Sequence, residues 1–188
     1  PSSTALIVHP RFPLASIRYA FDKHAQSCRA VVVPGVPRPF LVMQHFASSG
    51  AHLGSVVWNA GIALATYITA NAAELRCGRG FGATSALELG CGAAAIVSQC
   101  AALHGFQTMM TDLPEVVSWA KHNVALNVAC HWDGHPHAAQ ALALTRPGDV
   151  SPLVRAQPLE WGAERDVDCL GLERDLDYVF AADCIYAT

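Results

Sequence analysis

The sequence predicts an α/β fold with a doubly wound, mainly parallel sheet. Short apolar runs typical of buried strands alternate along the chain with longer segments of helical periodicity. This is the order expected for parallel strands joined by right-handed helical crossovers. Hydrophobic residues make up 52% of the chain and charged residues only 14%. Such a composition indicates a dense interior whose strands are buried on both faces.

The N-terminal part of the chain is expected to carry a β-hairpin ahead of this sheet. Residues 1–28 read as an irregular segment with a short helix near 17–24. Two β-rich runs follow at 30–33 and 39–44, and the Pro-Gly-Val-Pro sequence between them predicts a hairpin turn. Residues 46–54 are expected to form a loop.

The rest of the chain is expected to alternate helices and strands. In order, the predicted elements are a helix over 58–75, a strand over 85–89, a helix over 93–103, a strand over 108–111, a helix over 114–127, a loop over 131–152, a strand over 153–158, a turn over 161–166, a short helix over 168–173 and a strand over 176–182. Gly105 is placed to cap the second of these helices. Pro114 suits the first turn of the third helix, where its missing N–H costs nothing.

A glycine motif links the first two strands of the predicted sheet. An apolar run that ends at Leu89 is followed by Gly90-Cys91-Gly92, and a second apolar run ends at Asp112, twenty residues after Gly92. This spacing is typical of a Rossmann-like βαβ unit that binds an adenosine-containing cofactor. The two glycines let the backbone turn sharply and approach a ligand because they have no Cβ. The carboxylate of Asp112 can accept hydrogen bonds from both hydroxyls of a ribose.

Glu88 distinguishes between two classes of cofactor. Residues 90–95 also fit the dinucleotide pattern G-x-G-x-x-G/A, but a carboxylate two residues before the first glycine would repel a pyrophosphate. An anionic Glu88 would instead stabilise an ammonium group, directly or through water, and S-adenosylmethionine carries such a group at its amino-acid end. We therefore favour S-adenosylmethionine over a nicotinamide or flavin dinucleotide. An alanine-rich turn that binds nothing would leave both Glu88 and Asp112 unexplained.

Charge, hydropathy and cysteine usage bear on whether the protein binds nucleic acid, enters a membrane or is secreted. The net charge is −3 and the chain has no Lys/Arg run, so nothing indicates nucleic-acid binding. No apolar stretch reaches the roughly 18 residues that cross a bilayer, and the N-terminus does not read as a secretory signal. Seven scattered cysteines without a C-x-x-C pattern indicate free thiols in a reducing compartment. We expect a monomer in the cytoplasm, with the nucleus as an alternative.

Residues 130–137 have side chains that could bind a metal ion. They include a cysteine and three histidines, but no second pair of ligands with fitting spacing is found elsewhere in the chain. We therefore expect a solvated loop here and no metal centre.

Four blocks of sequence carry a family resemblance. They are Gly-Ser-Val-Val-Trp at 54–58, Leu-Glu-Leu-Gly-Cys-Gly at 87–92, Thr-Asp-Leu-Pro at 111–114 followed by Asn123 and Asn127, and Leu-Glu-Trp-Gly at 159–162 followed by Ala-Asp-Cys-Ile-Tyr at 182–186. Together they resemble the seven-β-strand S-adenosylmethionine-dependent methyltransferases, and within them methyltransferase family 16, which includes protein-lysine methyltransferases. The likeness spans about residues 29–187, so we expect residues 29–188 to form a methyltransferase domain.

The resemblance implies roles for individual residues. Together with Glu88, it assigns to the cofactor Trp58, Gly90, Cys91 through its backbone, Gly92, Asp112, Trp161 and Ala182. It places Asp183 and Tyr186 beside the entry for a substrate lysine. A lysine ammonium must lose a proton before it can attack, and an apolar, aromatic-lined pocket lowers its pKa. The alternatives are that Asp183 caps a helix following the fourth strand, that Tyr186 and Trp58 pack in the core, and that Trp161 covers a turn.

The resemblance therefore implies an enzyme that transfers a methyl group from S-adenosylmethionine to a protein side chain, with lysine as the first choice. An inactive methyltransferase-like module and a small-molecule methyltransferase stay open. Ala93-Ala94 stands where relatives have a third glycine, which we expect to tighten the loop and weaken cofactor affinity. Relatives also continue for three more strands and a helix. Because Pro1 is not a start methionine and the chain stops soon after a strand-like run, we expect a piece of a longer protein that lacks its C-terminal strands.

Overall fold

The computed structural model describes residues 28–44, 53–170 and 176–184. The strands of this part are β1 (Cys28–Val31), β2 (Phe40–Met43), β3 (Thr84–Leu89), β4 (Phe106–Asp112), β5 (Val154–Pro158) and β6 (Tyr178–Ala181). Its α-helices are α1 (Asn59–Leu75), α2 (Ile96–Leu103), α3 (Pro114–Trp132), α4 (Ala138–Ala143) and α5 (Glu164–Cys169), with a 3-10 turn at Leu53–Ser55. The alternation of strands and helices confirms the α/β class.

The main sheet of the described residues has four strands in the order β5-β4-β3-β6, and every neighbouring pair is parallel. Leu89 at the end of β3 pairs with Thr111 of β4 and with Ala181 of β6. The carboxyl ends of these three strands therefore meet at one edge of the sheet, which is where open α/β sheets bind ligands.

The N-terminal hairpin is confirmed as an antiparallel pair of β1 and β2. Its turn is closed by the N–H of Val36, which donates to the carbonyl of Val33 at 3.0 Å. Along β2 the side chains of Phe40 and Val42 are buried while Leu41 and Met43 are exposed. This alternation follows from the two-residue period of a strand and packs the hairpin on the core with one face.

One hydrophobic cluster joins the hairpin to the main sheet and its helices. Its fully buried members include Val31, Phe40, Ile68, Val97, Phe106, Met110 and Val117. All eight residues of α2 are buried. The two polar residues among them are hydrogen-bonded, as burial requires: Ser98 binds Glu88, and the side-chain N–H of Gln99 donates to the carbonyl of Ala94 at 2.8 Å.

Several element boundaries differ from the sequence-based expectation. The loop predicted over 131–152 was wrong in part, since α3 continues to Trp132 and α4 lies at Ala138–Ala143. The indole N–H of Trp132 donates to the hydroxyl of Ser151 at 3.2 Å, which holds the last turn of α3 against the following segment. The α4 sequence Ala-Ala-Gln-Ala-Leu-Ala is rich in strong helix formers, which is a local signal for this helix.

Two helices also begin elsewhere than predicted. Helix α2 starts at Ile96 rather than at residue 93 because residues 92–94 form a turn and Ala95 has a left-handed backbone with φ of 44°. Helix α5 starts at Glu164, within the segment predicted as a turn. The prediction that Gly105 ends α2 is confirmed, since this glycine has a left-handed backbone with φ of 86°. The helix predicted near 17–24 and most of the loop predicted over 46–54 lie outside the described residues.

Helix lengths and hydropathies bear on membrane insertion. Of the helices in the described ranges, none combines the length and the apolar character that a bilayer crossing requires.

Candidate functional site

A cavity of about 520 Å³ lies at the carboxyl ends of β3, β4 and β6. We call it the glycine-loop cavity, after residues 90–95, the glycine loop. Its lining includes every residue that the sequence analysis assigned to the cofactor, namely Trp58, Glu88, Gly90, Cys91, Gly92, Asp112, Trp161 and Ala182. Asp183 lines it as well. Tyr186 lies outside the described residues, so its assignment stays a prediction.

The two glycines of the loop have backbones that favour glycine. Gly90 has φ of 63° and Gly92 has φ of 60°, a left-handed conformation that costs other residues energy. A Cβ on Gly90 would lie 2.9 Å from Sγ of Cys184 and 3.3 Å from the ring of Trp161. A Cβ on Gly92 would lie 3.2 Å from the carbonyl oxygen of Gly54. Side chains at either position would therefore both strain the loop and crowd its neighbours.

Cys91 between the glycines is held by its backbone. Its N–H donates to the carbonyl of Thr111 in β4 at 2.9 Å. Its side chain is buried, and that burial raises the pKa of the thiol well above its ordinary value. The thiol therefore stays protonated at neutral pH.

Asp112 fastens the glycine loop to the end of β4. Its Oδ2 accepts a hydrogen bond from the N–H of Gly92 at 2.9 Å, and its Oδ1 accepts one from the N–H of Leu113 at 2.8 Å. These backbone contacts add to the ribose contacts that the sequence predicts for Asp112. Each carboxylate oxygen can accept a further hydrogen bond, so an anchoring role and a ligand-binding role are compatible.

Glu88 in β3 is a buried carboxyl group, with 4% of its surface exposed. Its Oε2 accepts hydrogen bonds from the N–H of Ser98 at 2.9 Å and from the Ser98 hydroxyl at 2.5 Å. Burial raises the pKa of Glu88 to about 7, although the bonds from Ser98 act in the opposite direction. An anionic Glu88 was predicted from the sequence. In the folded chain it is near the midpoint of its titration at neutral pH, and a nearby cation would hold it ionised.

Asp183 caps helix α1 from a distant part of the chain. Its Oδ2 accepts a hydrogen bond from the N–H of Ala60 in the first turn, at 3.2 Å. The N-cap residue, Trp58, makes no side-chain capping bond, so the carboxylate of Asp183 meets one of the open N–H groups at the positive end of the helix. Asp183 has φ of 54°, a conformation that aspartate tolerates better than most residues.

Two tryptophans line the glycine-loop cavity while keeping much of their surface exposed. Trp58 is 40% exposed and Trp161 is 51% exposed. This exposure argues against the core-packing alternative for Trp58. The ring of Trp161 lies over Gly90, close to where a Cβ would point. Both indoles are thus available to contact a bound molecule.

The segment before Trp58 is held by the hairpin, through residues that the sequence analysis did not single out. The buried guanidinium of Arg29 in β1 donates to the carbonyl of Val57 at 3.0 Å. The N–H of Val57 donates to the side-chain oxygen of Gln44 at 2.9 Å. The carbonyl of Gly54 accepts the N–H of Ala93 at 2.6 Å. The contacts of Arg29 and Gln44 cannot be predicted from the local sequence. Their shared partner, the backbone of Val57, is brought to them by tertiary packing.

Among the described residues, the charged side chains that line the glycine-loop cavity are all acidic. Its described lining contains three carboxyl groups, Glu88, Asp112 and Asp183, and no Lys, Arg or His side chain. Opposite charges attract strongly where water is partly excluded. The lining is therefore complementary to a cationic ligand and unsuited to a pyrophosphate.

A second cavity of about 480 Å³ lies between the hairpin turn and the end of α3, and we call it the histidine cavity. Its lining includes His104, His131, His135, His137, Arg38 and Arg76. Burial is the largest cause that lowers the pKa of the first three histidines. Nowhere in the described ranges are three or more His, Cys, Asp or Glu side chains arranged to hold a metal ion.

Known proteins share sequence similarity with most of this chain. A family model described as lysine methyltransferase matches residues 41–188. The chain is 29% identical over 134 residues to protein N-lysine methyltransferase METTL21A of Mus musculus, and the matched region covers 71% of this chain and 49% of that protein. It is 25% identical over 134 residues to the putative methyltransferase-like protein 21E pseudogene of Homo sapiens, and the matched region covers 71% of this chain and 41% of the relative. The chain thus spans about half the length, or less, of these relatives. Because the family model covers most of the chain, this protein belongs to the lysine methyltransferase family, methyltransferase family 16.

Proposed function

We propose that the protein is an S-adenosylmethionine-dependent methyltransferase that modifies a protein side chain, with lysine as the acceptor. The observation that carries the proposal is the glycine-loop cavity, whose described lining has three carboxyl groups and no basic side chain. S-adenosylmethionine has two cationic groups, a sulfonium and an ammonium, and it complements this lining. A dinucleotide would bring an anionic pyrophosphate to a described lining whose only charged side chains are carboxyl groups. Membership of the family supports the reaction class.

The residues present fit the cofactor. A volume of about 520 Å³ is within the usual range for small-molecule sites. Asp112 would accept hydrogen bonds from the ribose hydroxyls, and Glu88 would lie near the ammonium group. Trp58 and Trp161 would contact the cofactor with their exposed rings. Cys91 and Ala182 would contact it through their backbones.

The chain's own contribution is position and charge. When bound, S-adenosylmethionine supplies a methyl group on a positively charged sulfur, which a neutral amine can attack. The protein has to hold the acceptor nitrogen in line with that methyl group and keep water away. Asp183 lines the cavity and can accept a hydrogen bond from the acceptor amine. Tyr186 is assigned to the same task as a prediction that the described residues do not reach.

The choice of lysine as acceptor follows the family and the charge of the site. The mouse relative is named as a protein N-lysine methyltransferase. An acidic cavity attracts the cationic lysine side chain before it loses its proton. We therefore propose a protein substrate that presents a lysine side chain.

The experiment is methylation of a cell extract by the purified protein with isotope-labelled S-adenosylmethionine, followed by mass spectrometry. We expect the label on a lysine side chain of a protein, and suppression of labelling by excess S-adenosylhomocysteine. A mark on arginine, histidine or a small molecule would overturn the acceptor and leave the cofactor assignment in place. Cofactor binding without any labelling would favour an inactive module.

A further inference from the structure

Two buried asparagines of α3 pair with the hairpin as a neighbouring strand would. Asn127 accepts the N–H of Leu41 at 2.8 Å and donates to its carbonyl at 2.9 Å. Asn123 accepts the N–H of Met43 at 2.8 Å and donates to its carbonyl at 2.9 Å. Each side-chain amide thus satisfies both backbone groups of one residue of β2.

The spacing of the two asparagines matches the spacing of the strand. Positions four apart on a helix are separated by about 6 Å along its axis, and positions two apart on a strand are separated by about 6.8 Å. Asn123 and Asn127 therefore meet successive residues on the edge of β2 that faces away from β1. As anchors for the hairpin, the two asparagines are equivalent.

They differ in one further contact. The side-chain N–H of Asn123 also donates to the carbonyl of Ala93 in the glycine loop, at 2.8 Å. The second contact of Asn127 goes to the carbonyl of Asn123 in its own helix, at 2.7 Å. Of the two asparagines, Asn123 alone therefore bonds both to the hairpin and to the loop that borders the glycine-loop cavity.

The glycine loop depends on such external contacts. Ala93 is 2% exposed, so its carbonyl would be buried without this partner if Asn123 were lost. Two residues further on, Ala95 has φ of 44°, a strained conformation for a residue with a Cβ that persists only when its surroundings enforce it. The loop is held in place rather than self-supporting.

We propose that Asn123 is a positioning residue that holds the glycine loop in its cofactor-binding conformation by linking Ala93 to strand β2. The proposal rests on the proposed function, in which this loop binds S-adenosylmethionine. Without the bond to Ala93 the loop would populate other conformations, and cofactor binding would have to restore the competent one. Affinity falls when binding must also order the site.

Asn123→Ala and Asn127→Ala form a matched pair for the test. Both variants lose two hydrogen bonds to β2, so we expect similar decreases in melting temperature. Only Asn123→Ala is expected to weaken S-adenosylhomocysteine binding, at least about fivefold by calorimetry, as expected for one lost hydrogen bond to a buried carbonyl. If the alanine variants do not fold, Asn123→Leu and Asn127→Leu replace them, because leucine keeps the branching at Cγ and removes the hydrogen bonds.

Amide hydrogen exchange in the ligand-free protein gives a second readout. Exchange at residues 91–96 is expected to accelerate in Asn123→Ala and to stay as in the wild type in Asn127→Ala. Equal loss of affinity in both variants, or unchanged exchange in Asn123→Ala, would overturn the proposal. A wild-type chain that fails to bind S-adenosylhomocysteine would overturn the proposed function instead, while the exchange comparison would still decide whether Asn123 positions the loop.

Discussion

The two cavities of this protein have similar volumes, about 520 and 480 Å³, but different chemistry. The glycine-loop cavity has only carboxyl groups as charged members of its described lining, and it borders a backbone with two left-handed glycines. The histidine cavity is lined by four histidines and two arginines, with Asp133 as the acidic member of its described lining. Volume alone would not distinguish them. The charge of the lining and the close approach of backbone mark the first as the candidate site.

The largest effect is expected from a side chain added to the glycine loop. Gly90→Ala places a Cβ 2.9 Å from Sγ of Cys184 at a left-handed position. We expect S-adenosylhomocysteine affinity to fall by at least about a hundredfold, which corresponds to roughly 3 kcal/mol of strain and displacement. Calorimetry measures this.

Gly134→Ala is the matched control for that variant, in the histidine cavity. Gly134 also has a left-handed backbone, with φ of 73°, but a Cβ there meets nothing within 4 Å. We expect a loss of stability of about 1 kcal/mol and unchanged cofactor affinity. If Gly134→Ala weakened binding as much as Gly90→Ala, the distinction between the two cavities would be lost.

A smaller effect is expected at Asp112. Charge-assisted hydrogen bonds to ribose hydroxyls contribute about 1.5–3 kcal/mol, so Asp112→Ala should weaken S-adenosylhomocysteine binding roughly ten- to a hundredfold. Part of this loss will come from the freed N–H of Gly92. Asp112→Asn keeps an oxygen for one of its two backbone partners and should lose less. Unchanged affinity in Asp112→Ala, or tighter binding of NAD than of S-adenosylhomocysteine, would contradict the assignment.

At Asp183 the expected effect is on turnover. Asp183→Ala should reduce protein methylation at least about tenfold, one to two hydrogen bonds' worth, with cofactor affinity little changed. It should also lower stability by about 1 kcal/mol because α1 loses its cap. Asp183→Asn retains a capping oxygen and loses the charge. A variant that keeps wild-type stability and still loses methylation would separate the two roles, whereas full activity in Asp183→Asn would leave only the capping role.

The pH dependence of cofactor binding tests Glu88. With a pKa of about 7 in the folded chain, the ionised fraction of Glu88 rises about fivefold between about pH 6 and about pH 7. We expect S-adenosylhomocysteine affinity, measured by calorimetry, to rise by a similar factor, and Glu88→Gln to abolish the rise.

The raised pKa of Glu88 also makes the ligand-free protein less stable as pH increases. The contribution of Glu88 to stability is fully present below its ordinary value of 4.5 and is lost as pH rises through about 7.

The smallest effect is expected at the histidine cavity, with the opposite sign. Burial lowers the pKa of His104, so its contribution to stability is present above the ordinary pKa of 6.5 and is lost as pH falls through the lowered value. Urea unfolding at mildly acidic and neutral pH should show a weaker acid dependence in His104→Gln than in the wild type, with cofactor affinity unchanged. His122→Gln, on the exposed face of α3, is the surface control and should behave as the wild type.

The spacing of the glycine motif and Asp112 predicted the first βα unit and the residues that line the glycine-loop cavity, because a parallel strand, a tight turn and the next strand leave local signals. The contact between Asp183 and Ala60 left no such signal, since it joins residues 123 positions apart. The proton affinity of Glu88 was likewise out of reach. It depends on how deeply β3 is buried, which packing decides. The left-handed Ala95 shows the same limit, because an alanine run predicts a helix there.

The pairing of two helix side chains with β2 has a consequence for solubility. The open edge of a strand is a template on which another chain can add a strand, and a two-stranded ribbon by itself is only marginally stable. In this protein the amides of Asn123 and Asn127 occupy the backbone groups of Leu41 and Met43. A helix thereby terminates the ribbon without adding a further strand. The hairpin gains hydrogen-bonded partners on this edge and offers no free ladder there for self-association.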